Sequence, residues 1–248
     1  MGENIWDPQI QLLVPNLNDF FEEVRKYIKR NEIPIQSVEG FIRQIIGWRE
    51  YVNGMYWFLG DSYRNNNKLE AKMELPQLFH DSSQTKMNCL KNTIDDIKER
   101  SWVHHIPRLM ILSNFALISG INPQQYLDWM REVFIDATDW VMVPNVIGMG
   151  VHADGGIMMT KPYAAGGAYI SRMTNYCKGC FFDPKKRTGE DACPFTTLYW
   201  DFLDRNRERF ARNHRIALQV RGLDRLDDLE GVRNRADEIL KKLTKGTL

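Results

Sequence analysis

The residues whose types and spacing could do chemistry are the four cysteines of this 248-residue chain. Cys177-Lys-Gly-Cys180 is followed after twelve residues by Cys193-Pro194, and Cys89 lies far upstream. A C-x-x-C pair turns two thiolates toward one ligand, the geometry that a tetrahedral metal or an iron–sulfur cluster needs. No cysteine is left over, no secretory signal is read at the start, and the chain is long enough to bury a core without staples. Ligation by all four is therefore expected over a disulfide framework. The plainer alternative is two buried thiols beside a chance C-x-x-C. Between occupants the residues leave two open: zinc is the commoner guest of four cysteines, whereas Cys193-Pro194 leans toward iron–sulfur.

Other groups carry weaker signals. Gly148-Met-Gly150 and Gly155-Gly156 follow no strand and precede no Lys-Ser/Thr, so neither phosphate-loop context is met. These glycines are expected to let backbone approach a flat or bulky ligand. His104 and His105 are adjacent and point about 100° apart on a helix, so they form no shared zinc face. One of them can serve as a proton donor in a pocket, against the reading that both are structural or surface residues. Seven tryptophans and nine tyrosines can fill a helical core, stack on a base or flavin, or pass electrons. Net charge is only +1, but residues 172–215 hold ten Lys/Arg against six Asp/Glu. A solvated helix face accounts for that as well as phosphate contacts do.

The elements that must position these groups read as helices. Hydrophobic residues at 43% and charged residues at 26% describe a globular chain with no membrane-length apolar run. Asn18 and Asp19 can cap a helix carrying Phe20, Phe21, Val24, Tyr27 and Ile28. Ser37 can start a second with Phe41, Ile45, Trp48, Val52, Tyr56 and Leu59. Further helices are predicted over 83–100, 108–118 with a stop at Ser119-Gly120, from Asn122-Pro123 onward, 195–210 and 226–243. Periodicity fails between about 137 and 192, where Pro144, Gly148, Gly150, Pro162, Pro184 and Gly189 predict a long functional loop. No confident strand is predicted. The fold class is all-α.

Taken together the segments resemble a known family. Gly40-Phe-Ile-Arg-Gln-Ile-Ile-Gly-Trp-Arg-Glu50, Trp102-Val-His-His-Ile-Pro-Arg108 and Trp140-Val-Met-Val-Pro-Asn-Val-Ile-Gly-Met149 occur in its order. His152-Ala-Asp-Gly-Gly156, Tyr176-Cys-Lys-Gly-Cys180 and Glu190-Asp-Ala-Cys-Pro-Phe195 follow. This resembles the C-terminal half of the deoxyribodipyrimidine photolyase-related proteins, the iron–sulfur bacterial cryptochromes and prokaryotic (6-4) photolyases, over roughly residues 20–225. The resemblance implies a photolyase/cryptochrome FAD-binding helical domain over 19–225, a poorly matched segment over 1–18 and a C-terminal helix over 226–248. It implies FAD and a [4Fe-4S] cluster on Cys89, Cys177, Cys180 and Cys193. Gln44, Trp48 and Arg49 would border the flavin and the damaged base. Arg108 and Asp139 would form an ion pair beside the isoalloxazine, and Asn145 would pass its N5 edge. Trp129 would carry electrons toward the flavin, and His105, with help from His104, would supply a proton.

The implied activity is light-driven electron transfer from reduced FAD to a pyrimidine (6-4) photoproduct in UV-damaged DNA. The alternatives are a non-repairing blue-light photoreceptor and a remnant that keeps only its cluster. Two departures bear on the choice. A second catalytic histidine of the animal enzymes falls at Leu109, and the family's N-terminal antenna domain is not in this sequence. The segment that opens the flavin domain is matched only faintly, by Leu12-Leu-Val-Pro15. A separate chain supplying that domain is one expectation, and a reducing, DNA-accessible cytoplasmic compartment is another.

Overall fold

A computed structural model describes residues 17–246 and Leu248. The N-terminal stretch, including Leu12-Leu-Val-Pro15, lies outside the described residues. Contacts divide the chain into a smaller unit ending at Gly60 and a larger one over Asp61–Leu248. Among the described residues the structure is helical, with only two isolated bridges, Met73 to Ile121 and Asp183 to Ala192. No described helix is long and apolar enough to cross a membrane.

In the smaller unit, α1 (Leu17–Asn31) and α2 (Ile35–Gln44) flank a groove lined by Val24, Tyr27, Ile28, Ile33, Val38 and Phe41. Val24, Tyr27, Ile28 and Phe41 are among the apolar positions that helical spacing singles out. From α2 the chain runs through a π-helical turn, Ile45–Glu50, directly into α3 (Tyr51–Leu59). Gly60 ends that run at φ 70°, a left-handed conformation that glycine adopts without steric cost.

The larger unit is built around α9 (Pro194–Arg205). It packs on α12 (Leu229–Lys245), on α5 (Asn114–Ser119) and on α8 (Gly167–Met173). Phe195, Leu198, Phe202 and Leu203 of α9 meet an equally buried stripe on α12, Val232, Ala236, Ile239 and Leu243. The i, i+3, i+4 and i+7 recurrence on both helices puts each stripe on one face, and burying it is the main source of stability. The C-terminal helix thus packs directly against the helix that starts at the third cysteine of the cassette. Around this core lie α4 (Asn88–Arg100), α6 (Pro123–Val133), α7 (Asp139–Val143), α10 (Arg207–Ala211) and α11 (Ala217–Gly222).

Local signals explain several boundaries. Asn122 caps α6 by accepting from the N–H groups of Gln124 and Gln125 at 3.0 and 3.1 Å, with Pro123 as the first helical residue. Gly120 closes α5 in the left-handed region. The helix expected over 195–210 is broken instead, because Asn206 leaves helical geometry at φ −106° and ψ 17°. Its side chain bonds the Phe202 carbonyl at 2.9 Å, supplying an alternative to the helix ladder.

The largest correction concerns residues 137–150, expected to be loop. They form α7 followed by a π-helical turn, Pro144–Gly150. Pro144 sits at the junction with that turn, where its missing N–H breaks the i→i−4 ladder as the helix passes into π geometry. Gly148 and Gly150 are packed closely against protein. A Cβ on Gly148 would lie 2.6 Å from Met158 Cβ and closer still to the Tyr63 hydroxyl. On Gly150 it would lie 2.9 Å from Ser113 Oγ.

Candidate cofactor sites

The four cysteines come together. Cys89 stands on the first turn of α4, Cys177 and Cys180 on the loop after α8, and Cys193 just before α9. All four line one cavity, closed by Met87, Gly167, Ile170, Phe182 and Phe195. Gly167 makes the close approach possible, since a Cβ there would meet Cys193 Sγ and Thr196 Oγ1 at 2.9 Å. The loop between Cys180 and Cys193 is folded back on itself. Asp183 N–H donates to the Asp191 carbonyl at 2.8 Å, and Cys193 N–H to the Asp183 carbonyl at 3.1 Å. Thr196 Oγ1 donates to the Pro184 carbonyl at 2.8 Å.

Electrostatics at this cavity oppose thiolates. Burial, then the neighbouring Cys193 sulfur, pushes the Cys89 thiol well up, and burial pushes Cys193 to about 12. Cys177 is raised too, again by burial first. Among the described residues no cation offsets this at Cys89, Cys177 or Cys193, so a positively charged guest would favour ionising them. All four cysteines are free of disulfides. Among the described residues no group of three or more His, Cys, Asp or Glu side chains is arranged to hold a metal ion. The cavity therefore gathers four soft ligands without closing them around a single point.

A second cluster surrounds Arg108. Its guanidinium holds Asp136 with two parallel bonds of 2.9 Å, and its Nε donates to the Val103 carbonyl at 2.6 Å. Arg108 and Asp136 side chains are 11% and 2% exposed. Asp139, expected as the partner, lies instead with Arg131 at 2.9 Å and Arg64 at 3.4 Å. The reason is register. Asp139 opens α7, where the capping geometry of Thr138 turns it toward α6, while Asp136 lies in the turn before it. Residue spacing carries no sign of this pairing.

Aromatic rings continue from Arg108 inward. Its guanidinium lies 4.0 Å from the Phe134 ring centre. Phe134 lies 6.4 Å from Trp129, which stacks on Tyr126 at 5.9 Å and meets Phe79 edge-on at 4.9 Å. Trp129 is 3% exposed, and its indole N–H has no hydrogen-bond partner among the described residues.

The histidines differ from one another. His104 is exposed, and its Nδ1 accepts from the Ile106 N–H at 3.3 Å. His105 is largely enclosed, and burial, then the charge of Arg108, lowers its pKa to about 4. Asn145 donates to the Val141 carbonyl at 2.8 Å, while its Oδ1 is buried without a partner among the described residues. Gln44 ends α2 in the smaller unit, immediately before the turn that carries Trp48 and Arg49.

One signal was absent from sequence periodicity. Trp48 and Arg49, Arg108, and Asn145 stand on the π-helical turns found among the described residues: 45–50, 107–113 and 144–150. Such turns interrupt the ordinary helix ladder and recur at functional sites. Sequence reading also left the inner role of His152-Ala-Asp-Gly-Gly156 unassigned. Asp154 accepts from the Tyr63 hydroxyl at 2.6 Å, Met158 N–H at 2.8 Å and Gly156 N–H at 2.9 Å, which folds the motif into a buried bracket. His152 holds φ 48° there, and its Nδ1 is unpartnered among the described residues.

No family model matches the chain. It is 50% identical over 212 residues to a (6-4) photolyase of Agrobacterium fabrum, covering 85% of this chain and 42% of that protein. It is 36% identical over 109 residues to an uncharacterised protein of Acanthamoeba polyphaga mimivirus, covering 44% of this chain and 81% of that one. The chain thus spans less than half the length of the photolyase it matches. It belongs to the photolyase-related proteins and corresponds to the C-terminal half of that relative.

Proposed function

We propose that this chain is the FAD- and cluster-binding part of a photolyase-like protein that acts on pyrimidine (6-4) photoproducts in DNA. The observation that carries this reading is the 50% identity, over most of the chain, to a protein named a (6-4) photolyase. Bound and reduced, FAD would supply the light-driven electron, which is chemistry no side chain provides. The lesion must leave the base stack to receive it, because a flavin cannot reach a stacked base.

The chain's own residues do the rest. The Arg108–Asp136 pair is fixed at three points and presents an oriented, compensated charge that needs no rearrangement when a cofactor enters. Asn145 brings a buried, unsatisfied Oδ1, an acceptor suited to a flavin N–H. Gln44, Trp48 and Arg49 would supply polar and stacking contacts to the flavin and base. Trp129 lies in a continuous aromatic row ending at Arg108 and would serve as the electron donor of this part. His105, with a pKa of about 4, is neutral at physiological pH and can give a hydrogen bond from its ring N–H. Serving as a full proton donor requires a nearby anion, which a DNA phosphate would provide. The same low proton affinity favours a second reading, a photoreceptor that reduces its flavin without repair.

Cys89, Cys177, Cys180 and Cys193 would hold a [4Fe-4S] cluster. The fit rests on four sulfurs, soft donors that suit iron, lining one cavity. A cluster takes one thiolate per iron, so its ligands need not converge on one point as those of zinc must.

The test is an absorption spectrum of anaerobically purified chain, with iron, zinc, sulfide and flavin assayed on the same sample. Iron with sulfide, together with flavin, is the expected result. Zinc without sulfide or flavin would sink the reading. Loss of lesion repair in His105→Ala, with flavin retained, separates repair from reception; a parent that never repairs favours the receptor.

A further inference from the structure

We propose that Thr196 is a positioning residue of the four-cysteine site, its hydroxyl holding the segments that carry Cys177, Cys180 and Cys193 at a fixed separation. The geometry stands on contacts within this chain; its consequence for bound iron rests on the cluster reading above.

Thr196 lies in the first turn of α9, three residues after Cys193, and is 7% exposed. A threonine in a helix commonly turns its hydroxyl back to the carbonyl four residues earlier. Thr196 instead reaches two other segments. Its Oγ1 accepts from the Gly167 N–H at 3.0 Å and donates to the Pro184 carbonyl at 2.8 Å. The hydroxyl's one proton is thus committed, together with a lone pair.

Each bond leads to a cysteine. Gly167 opens α8, and Ser171, one turn further along that helix, bonds the Cys177 sulfur through its hydroxyl. Pro184 lies in the loop from Cys180 to Cys193, next to Asp183, whose carbonyl accepts the Cys193 N–H at 3.1 Å. The Thr196 main chain closes the third side, because its N–H donates to the Cys193 carbonyl at 2.8 Å.

The stretch 165–167 is pinned from the far side as well. Asn114 of α5 accepts the Ala165 N–H at 3.0 Å and donates its Nδ2 to the Ala165 carbonyl at 2.9 Å. There is little slack between the pins, since a Cβ on Gly167 would lie 2.9 Å from both Cys193 Sγ and Thr196 Oγ1. Removing the hydroxyl leaves the Gly167 N–H and the Pro184 carbonyl without this partner, which favours separation of the two segments to hydrate them.

The test compares full chains carrying Thr196→Val, which keeps the shape and removes both bonds, and Thr196→Ser, which keeps the hydroxyl. Iron-loaded protein is mixed with an excess of a ferrous chelator. Iron-depleted protein is treated with iodoacetamide at one pH, and each cysteine is followed by peptide mass spectrometry. Thr196→Val should lose iron about 10-fold faster or more, the scale on which groups supporting a metal's ligands act. In iron-depleted chain it should raise alkylation of Cys193 and Cys177 relative to Cys89, whose segment has no bond to the Thr196 hydroxyl among the described residues. Thr196→Ser should restore both. Gly167→Ala, which leaves Thr196 in place, should give the same pattern by pushing on Cys193, and it decides the matter if Thr196→Val does not fold. Ser113→Ala, which removes a buried hydroxyl 3.0 Å from that of Tyr126, should match the parent in both measurements. Parental rates in Thr196→Val overturn the proposal. So do rates in Thr196→Ser or Ser113→Ala as high as those of the valine variant. If the parent holds no iron, the cluster reading fails, and the alkylation pattern alone upholds or overturns the positioning role.

Discussion

The cysteine cavity and the Arg108 cluster are both buried, yet they solve the problem of burying reactive groups in opposite ways. Around Arg108 every charge is answered within the protein, by Asp136, the Val103 carbonyl and the Phe134 ring. Around the cysteines only the Leu90, Phe195 and Thr196 backbone N–H groups and the Ser171 hydroxyl favour a negative charge, and burial outweighs them, driving the thiols toward their protonated forms. The first site is complete without a guest and can orient one. The second is electrostatically unfinished, and a cation inside it would favour the thiolate state that burial opposes. The two should therefore respond differently to substitution, acid and loss of ligand.

The largest expected effect is at the unfinished site. Cys193→Ser should lower iron per chain by about 10-fold or more, the scale on which even groups supporting a metal's ligands act. In iron-depleted protein the same substitution should change unfolding little. Metal analysis beside urea unfolding checks both parts. Full iron retention in the variant would erase the proposed ligand role.

At the completed site the cost is conformational. Asp136→Ala leaves Arg108 buried and unpaired and should destabilise the larger unit by about 3–5 kcal/mol. Replacing both, as Arg108→Met/Asp136→Leu, should recover much of that loss. A double-mutant cycle measured by denaturant unfolding gives the coupling, and additivity would mean that the pair does not act as a unit.

Acid sharpens the contrast. His105 has a folded pKa near 4 against an ordinary value of 6.5, so the unfolded chain binds its proton first. Stability from this residue is full above pH 6.5 and falls as the pH drops toward 4, by up to about 3 kcal/mol. His105→Gln should flatten the pH dependence of unfolding across that window. If the slope is unchanged, the histidine is not held neutral by burial and Arg108.

A smaller effect is expected where the π-helical turn 144–150 packs on Tyr63. Gly148→Ala forces a methyl against the Tyr63 hydroxyl and Met158 and should cost about 1–3 kcal/mol. Thermal unfolding reads this, and adding Tyr63→Phe should return part of the loss. No loss would mean that the turn relaxes freely.

The two sites also differed in how far residue order disclosed them. Cys177, Cys180 and Cys193 announce themselves because a C-x-x-C turn fixes two sulfurs locally, and Cys89 joined them because no cysteine was left over, with the family resemblance supporting it. The structure then puts all four on one cavity. Arg108 was recognisable, but its partner was not. Asp136 and Asp139 differ by three positions, and only the start of α7 decides which one faces inward. The loop expected over 137–150 failed for a related reason. Proline and glycine break isolated helices, but here Pro144 falls where the α-helical ladder passes into the π turn, and Gly148 and Gly150 are required by neighbours from distant segments.

The sequence by itself determined the all-helical class, the caps at Asn122 and Gly120, and the Cys177–Cys180 pair, because each depends on periodicity or on groups a few bonds apart. Only the tertiary structure decided which arginines are spent in ion pairs, which aspartate holds Arg108 and where the helix ladder slips into π turns. Those outcomes depend on side chains brought together from far along the chain, and no local pattern encodes such a meeting.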